Sequence, residues 1–159
     1  MSKYENAMKL MDERCGNGKD NLIALATISL DPGAGGKPRP AARMVDAYYE
    51  DGAFYVVTYA LSNKMKQIGD NPDVAVCAID WFSGHGAGEN LGWVRDEKNA
   101  AMMVKLREAF AGWYSNGHVN EEDKNTCLLR ICLTDGIIID NEKKYGEWQY
   151  VVDFTNKTV

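Results

Sequence analysis

Residues 42–72 read ARMVDAYYEDGAFYVVTYALSNKMKQIGDNP, and this stretch decides the fold. Ala41 to Tyr49 has the aromatic and branched content of a strand, and Ala53 to Thr58 (AFYVVT) has it again. Glu50, Asp51 and Gly52 between them make a tight turn, because glycine takes the backbone angles such turns require. The two strands are therefore antiparallel neighbours. Ser62 then stands where a helix N-cap belongs, Asn63 to Ile68 forms a short helix, and the run GDNP ends it.

Working outward, Tyr4 to Cys15 is helical, with Tyr4, Ala7, Met8 and Met11 on one face and Gly16, Asn17 and Gly18 as its end. Leu22 to Leu30 (LIALATISL) is a strand, and DPGAGGKPRP after it is a loop. On the other side, Val74 to Phe82 is a strand that SGHGAG breaks, followed by a short strand at Asn90 to Val94. Asp96 opens a longer helix to about Ser115, with the apolar stripe Met103, Leu106, Phe110, Trp113 and Tyr114. Three strands complete the chain: Thr126 to Leu133, Gly136 to Asp140 and Tyr150 to Phe154, with Thr134, Asp135 and Gly136 as a hairpin turn. No repeat or linker divides the sequence. The pattern predicts one domain over residues 1–159, mainly β, an antiparallel barrel with peripheral helices.

The chain of 159 residues carries a net charge of −5. A nucleic-acid binder normally presents a basic face to neutralise phosphates, so the acidic total argues against nucleic acid and against an anionic membrane surface. The N-terminal MSKYENAMKLMDERC lacks the apolar run of a signal peptide, and no stretch approaches the ~18 apolar residues of a membrane span. The expected location is the cytoplasm. Cys15, Cys77, Cys127 and Cys132 form no CxxC pair, and in that compartment they are expected as reduced structural thiols, Cys77 within the apolar run VAVCAI.

The chemistry sits in the same stretch as the hairpin. Arg43 lies on one strand, Thr58 ends the next, and Ser62 and Lys64 follow at a helix start. A guanidinium, an ammonium, two hydroxyls and helix N-terminal amides together suit a phosphate monoester.

The stretch resembles the FMN-binding half of the pyridoxamine 5'-phosphate oxidase family, the flavin split barrels. The likeness rests on Arg43-Met44-Val45, Thr58, Ser62-Asn63-Lys64, Gln67-Ile68 and Asn71-Pro72, in order and spacing, and extends back to Leu22. It implies an antiparallel split β-barrel that dimerises, with flavin at the subunit interface. It implies that Arg43, Ser62 and Lys64 hold the FMN phosphate, that Thr58 contacts phosphate or ribityl oxygens, and that Met44 and Val45 border the isoalloxazine ring. The implied activity is an FMN-dependent oxidoreductase acting on a small molecule. A flavin-binding protein without turnover, and split barrels that use deazaflavin or haem, are the alternatives.

The sequence also departs from that family. Asn63 stands where a second basic residue is common, and Tyr48 where a lysine is common. The tail YGEWQYVVDFTNKTV has Trp148 but no arginine to grip pyridoxal phosphate. The cofactor reading survives these losses, and the pyridoxal phosphate-forming activity does not. Elsewhere the glycines of Gly84-His85-Gly86-Ala87-Gly88 do not fit a dinucleotide loop. His85 with Glu89 is a poor metal pair, while His85 or His118 as a haem ligand, and His85 as a lining of the flavin pocket, stay open. Trp81, Phe82, Trp93, Tyr145 and Trp148 are candidates for ring cover, core packing or dimer contact.

Overall fold

The computed structural model describes residues 1–159. Helix α1 spans Lys3–Cys15. Ser2 and Glu5 start it reciprocally: the Glu5 amide donates to Ser2 Oγ at 3.1 Å, and the Ser2 amide to Glu5 Oε2 at 2.7 Å. Its buried residues are Ala7, Leu10, Met11 and Cys15, while Tyr4 and Met8 are only partly covered. Seven strands follow: β1 (Asn21–Ile28), β2 (Pro40–Glu50), β3 (Ala53–Tyr59), β4 (Asp73–Ala78), β5 (Phe82–Trp93), β6 (Thr126–Ile139) and β7 (Gln149–Asp153). Helix α2 (Asn63–Asp70) joins β3 to β4, and α3 (Ala100–Ala109) lies between β5 and β6.

All strand pairs are antiparallel, in the order β3-β2-β1-β4-β5-β6-β7. A further β3–β6 pairing, from Ala53 with Cys132 to Tyr59 with Thr126, closes six strands into a barrel. The long β6 serves two neighbours in turn. Its first half pairs with β3, and from Asp135 onward it pairs with β7. Closure leaves few open sheet edges, which is how such a fold avoids edge-to-edge association.

The barrel interior holds the main core, including Leu25, Phe54, Val56, Leu129, Ile131 and Tyr150. Met65 and Ile68 of α2 enter this core, as do Leu10 and Met11 of α1. A second core, built on Met103, Leu106 and Phe110, packs α3 against Tyr48 and Leu128 on the outside.

Three sequence expectations need correction. The SGHGAG run does not break a strand. The break is a turn at Ile79–Trp81, and β5 continues through residues 83–88, with a register shift against β6 between His85 and Gly86. Thr134-Asp135-Gly136 is not a hairpin turn, because β6 is continuous across it and both neighbours pair with it there. The helix after Asp96 is shorter than expected: a single tight turn at Glu97–Asn99 precedes α3, which stops at Ala109. Beyond it Ala111 and Trp113 donate to carbonyls three residues back, and Phe110 stacks on Trp113 at 5.0 Å, so the apolar stripe stays packed after the helix has tightened into turns.

All four cysteines are free, Cys15 and Cys127 buried, Cys77 and Cys132 exposed. Cys77 is therefore not a core residue. The strand alternates, and its apolar run puts Val74 and Val76 inside and Cys77 outside.

Candidate anion site

Arg43 of β2 pairs with Leu25 of β1, so both side chains take the interior face. The guanidinium lies under α2. Its Nη2 donates to Gln67 Oε1 at 2.9 Å, and its Nη1 to Thr27 Oγ1 at 2.7 Å and the Leu25 carbonyl at 3.3 Å. Thr27 is 1% exposed, and its hydroxyl donates to Gln67 Oε1 at 2.5 Å. Burial holds the Arg43 guanidinium below its ordinary range.

Lys64 is in the first turn of α2. Burial pushes its ammonium down, and the Arg43 charge beside it pushes the same way. Neither cation takes part in any ion pair of the chain. Two part-buried like charges without a carboxylate repel each other, and an anion between them reverses the sign of that interaction.

Ser62 adds a third element. It occupies the N-cap of α2, yet its Oγ caps nothing and is buried with no hydrogen-bond partner. The amides of Asn63, Lys64 and Met65 likewise make no hydrogen bond within the chain. Serine at this position ordinarily accepts from a first-turn amide, so an uncommitted hydroxyl beside uncommitted amides leaves donors free for acceptor oxygens. Thr58 lies near the end of β3, on the interior side with Val56, opposite Cys127. The Cys127 thiol is pushed up to about 11 by burial, with Lys64 opposing. A cavity of about 330 Å³ opens beside this strand end, lined by Thr58, Tyr59, His118 and Asn120 among others.

Arg43, Ser62 and Lys64 thus converge at the α2 end of the barrel, with Thr58 at the adjoining strand end. Met44 and Val45 diverge: Val45 is 8% exposed in the core, and Met44 is 48% exposed on the outer wall. Thr27 was not singled out by sequence, and Gln67 entered only as part of the family likeness, with no role at the site. A usable signal existed for Thr27, a hydroxyl in register with the inward residues Ile23 and Leu25.

His85 lies on the outer wall. Its Nδ1 is 2.8 Å from Asp135 Oδ1, whereas Glu89 pairs with Arg130 at 2.6 Å. No group of three His, Cys, Asp or Glu side chains is placed to hold a metal. Among the aromatics, Phe82 is core, Trp81 lies under the Arg14 guanidinium at 5.4 Å, and the Trp93 indole donates to the Glu121 carbonyl. The Tyr145 hydroxyl donates to Glu13, and Trp148 is 55% exposed.

No family model and no curated protein matches the sequence. Solved structures do match the fold. General stress protein 26 from Bacillus anthracis superposes with a TM-score of 0.58 at 19% identity, over 86% of this chain and 92% of that one. A FAD-binding protein from Mesorhizobium loti gives 0.56 at 13% identity, over 80% and 90%. The haem storage protein HutZ from Vibrio cholerae gives 0.58 at 14% identity, over 84% and 91%. The structural neighbours are split-barrel proteins of the pyridoxamine 5'-phosphate oxidase-like and general stress protein 26 type, the family the sequence resembles. The fold is a split β-barrel.

No helix is long and apolar enough to cross a membrane.

Proposed function

We propose that this chain binds FMN and serves as an FMN-dependent oxidoreductase for a small molecule, working in the cytoplasm as a homodimer. The observation that carries the reading is the Arg43–Lys64 pair, two part-buried cations without a carboxylate, beside the orphaned Ser62 hydroxyl. A phosphate monoester supplies what all three lack. In this reading Arg43, Ser62 and Lys64 hold the phosphate, Thr58 contacts phosphate or ribityl oxygens, and Met44 with the Val45 backbone borders the ring. Bound flavin supplies two-electron redox chemistry, and the protein supplies binding and orientation. Four free thiols are compatible with a reducing compartment.

The test is titration of apo-protein with FMN and with riboflavin. FMN is expected to bind much more tightly, and equal affinities would remove the phosphate site. Oxidation of NADH or NADPH by the FMN-loaded protein then separates an enzyme from a carrier. A haem reading has one observation in its favour: Asp135 orients the His85 imidazole and leaves Nε2 open. A Soret band in the purified protein, in place of flavin bands, selects it.

The dimer reading rests on the outer wall that α3 leaves bare. Met44, Ala24, Cys77, Ser83, Ile137 and Val151 are successive cross-strand partners, one uncharged row across six strands. Met44, Ile137 and Val151 in that row are 41–58% exposed. Exposed apolar side chains aligned across a sheet face are a feature of interaction surfaces, and a self-complementary wall fits a second copy. Light scattering should give about twice the 17.7 kDa chain mass. Ile137→Lys should shift the protein to monomer, and a wild-type monomer that binds FMN tightly rules the dimer out.

A further inference from the structure

We propose that Thr27 and Gln67 form an uncharged clamp that holds the Arg43 guanidinium at the mouth of the barrel without discharging it, making Gln67 a positioning residue for anion recognition. The proposal rests on the phosphate reading of the site.

The protein contains a contrasting arginine. Arg14 pairs with the fully buried Asp140 at 2.9 Å, and that carboxylate also accepts from the Lys144 amide. Such pairing compensates the cation. Arg43 is held as firmly but by neutral oxygens alone. Three hydrogen bonds close a ring. Arg43 Nη1 donates to Thr27 Oγ1, Thr27 donates to Gln67 Oε1, and Arg43 Nη2 donates to the same oxygen.

The directions are forced. A guanidinium only donates, and a hydroxyl has one proton, so Thr27 accepts from Arg43 and donates to Gln67. The amide must then present its oxygen, because an amide nitrogen there would face two donors. Both lone pairs of Oε1 are committed, and Gln67 Nε2 remains a free donor. Gln67 is on α2, the helix whose start carries Ser62 and Lys64. The ring therefore ties that helix to β1 and β2, and fixes the separation of the two cations from the strand side.

Shape and charge can be separated at this position. Gln67→Glu keeps the side-chain shape and still accepts from Arg43 and Thr27, but it places a negative charge between the cations and the anion they are to bind. That charge tests whether the clamp has to be neutral, and the Thr27 variants, which add no charge, test whether it has to hold Arg43 in place. The experiment is titration of apo-protein with FMN and riboflavin for Gln67→Glu, Thr27→Val, Thr27→Ser and Arg43→Ala, each with circular dichroism and a thermal melt. Gln67→Glu is expected to weaken FMN binding at least about tenfold with riboflavin unchanged. Thr27→Val is expected to weaken FMN as well, and Thr27→Ser to restore it. Should Gln67→Glu not fold, the Thr27 pair, which is nearly isosteric, carries the test. If Gln67→Glu and Thr27→Val bind FMN like the wild type while Arg43→Ala does not, the clamp is wrong and the phosphate site stands. If Arg43→Ala also keeps full FMN affinity, or if every variant loses FMN and riboflavin alike, the phosphate reading itself falls and the clamp with it.

Discussion

Arg43→Ala and Lys64→Ala are each expected to weaken FMN binding about 10- to 150-fold and to leave riboflavin binding nearly unchanged. A hydrogen bond to a charged group contributes roughly 1.5–3 kcal/mol, and that range sets the factor. The two side chains act differently. Arg43 is held by Leu25, Thr27 and Gln67 and keeps its Nε–H and one Nη2 proton for an anion, while Lys64 offers a point charge on a flexible stem. Because they are neighbours, their double replacement should fall short of the product of the single effects. Lys66→Ala is the control, since Lys66 is exposed on α2 and should matter little. Equal losses of FMN and riboflavin would mean that these residues shape the pocket without reading the phosphate.

The same two residues carry a cost in the empty protein. Both folded-state pKa values are depressed, Lys64 by burial and then by Arg43. A base whose pKa is depressed on folding destabilises the fold at pH below that lowered value, and the penalty fades as pH rises through it. Lys64→Met apo-protein should therefore melt no lower than wild type at neutral pH, even as its FMN affinity drops. A site that weakens the empty fold and gains only with ligand is the usual trade between function and stability.

The hairpin and the anion residues were legible in the sequence because they are local. Arg43, Thr58, Ser62 and Lys64 lie within 22 residues, on one hairpin and the helix that follows it. The turn at Asp51–Gly52 has positive φ at both residues, 49° and 77°, as its composition required. The clamp was not legible, because Thr27 comes from a different strand, reaches Arg43 through the β1–β2 register and meets Gln67 only where α2 packs over β1. Nor was the bare outer wall. Its row combines residues from six strands, and no single strand among them looks exceptional. The divergence of Met44 from Val45 follows from strand alternation, but which of the two faces the core depends on barrel closure.

The misread SGHGAG run leads to the second large effect: Gly84→Val is expected to cost about 3 kcal/mol or more, lowering the melting temperature by roughly 6–12 °C. Glycine usually punctuates, and the run looks like a break for that reason. Here it is required inside a strand. Gly84 of β5 pairs directly with Gly136 of β6, and the buried Phe82 ring lies against both. A Cβ at Gly84 would lie 2.6 Å from the Asp135 carbonyl oxygen and 2.7 Å from the Phe82 ring. One of those neighbours is backbone in the most extensively paired strand of the barrel, so it cannot move without disturbing β6. The ring in turn occupies the space that side chains at 84 and 136 would otherwise fill. Valine's branched Cβ makes relief by rotation harder still. Gly69→Ala in α2 is the matched control, since a Cβ there meets nothing within 4 Å. Its backbone is helical, so that change should be neutral or stabilise by about 0.4–1 kcal/mol. Thermal melts of both variants decide the matter. A Gly84→Val protein that melts with the wild type would show that the β5–β6 seam is open at this point and that the glycine is there for some reason other than close strand approach.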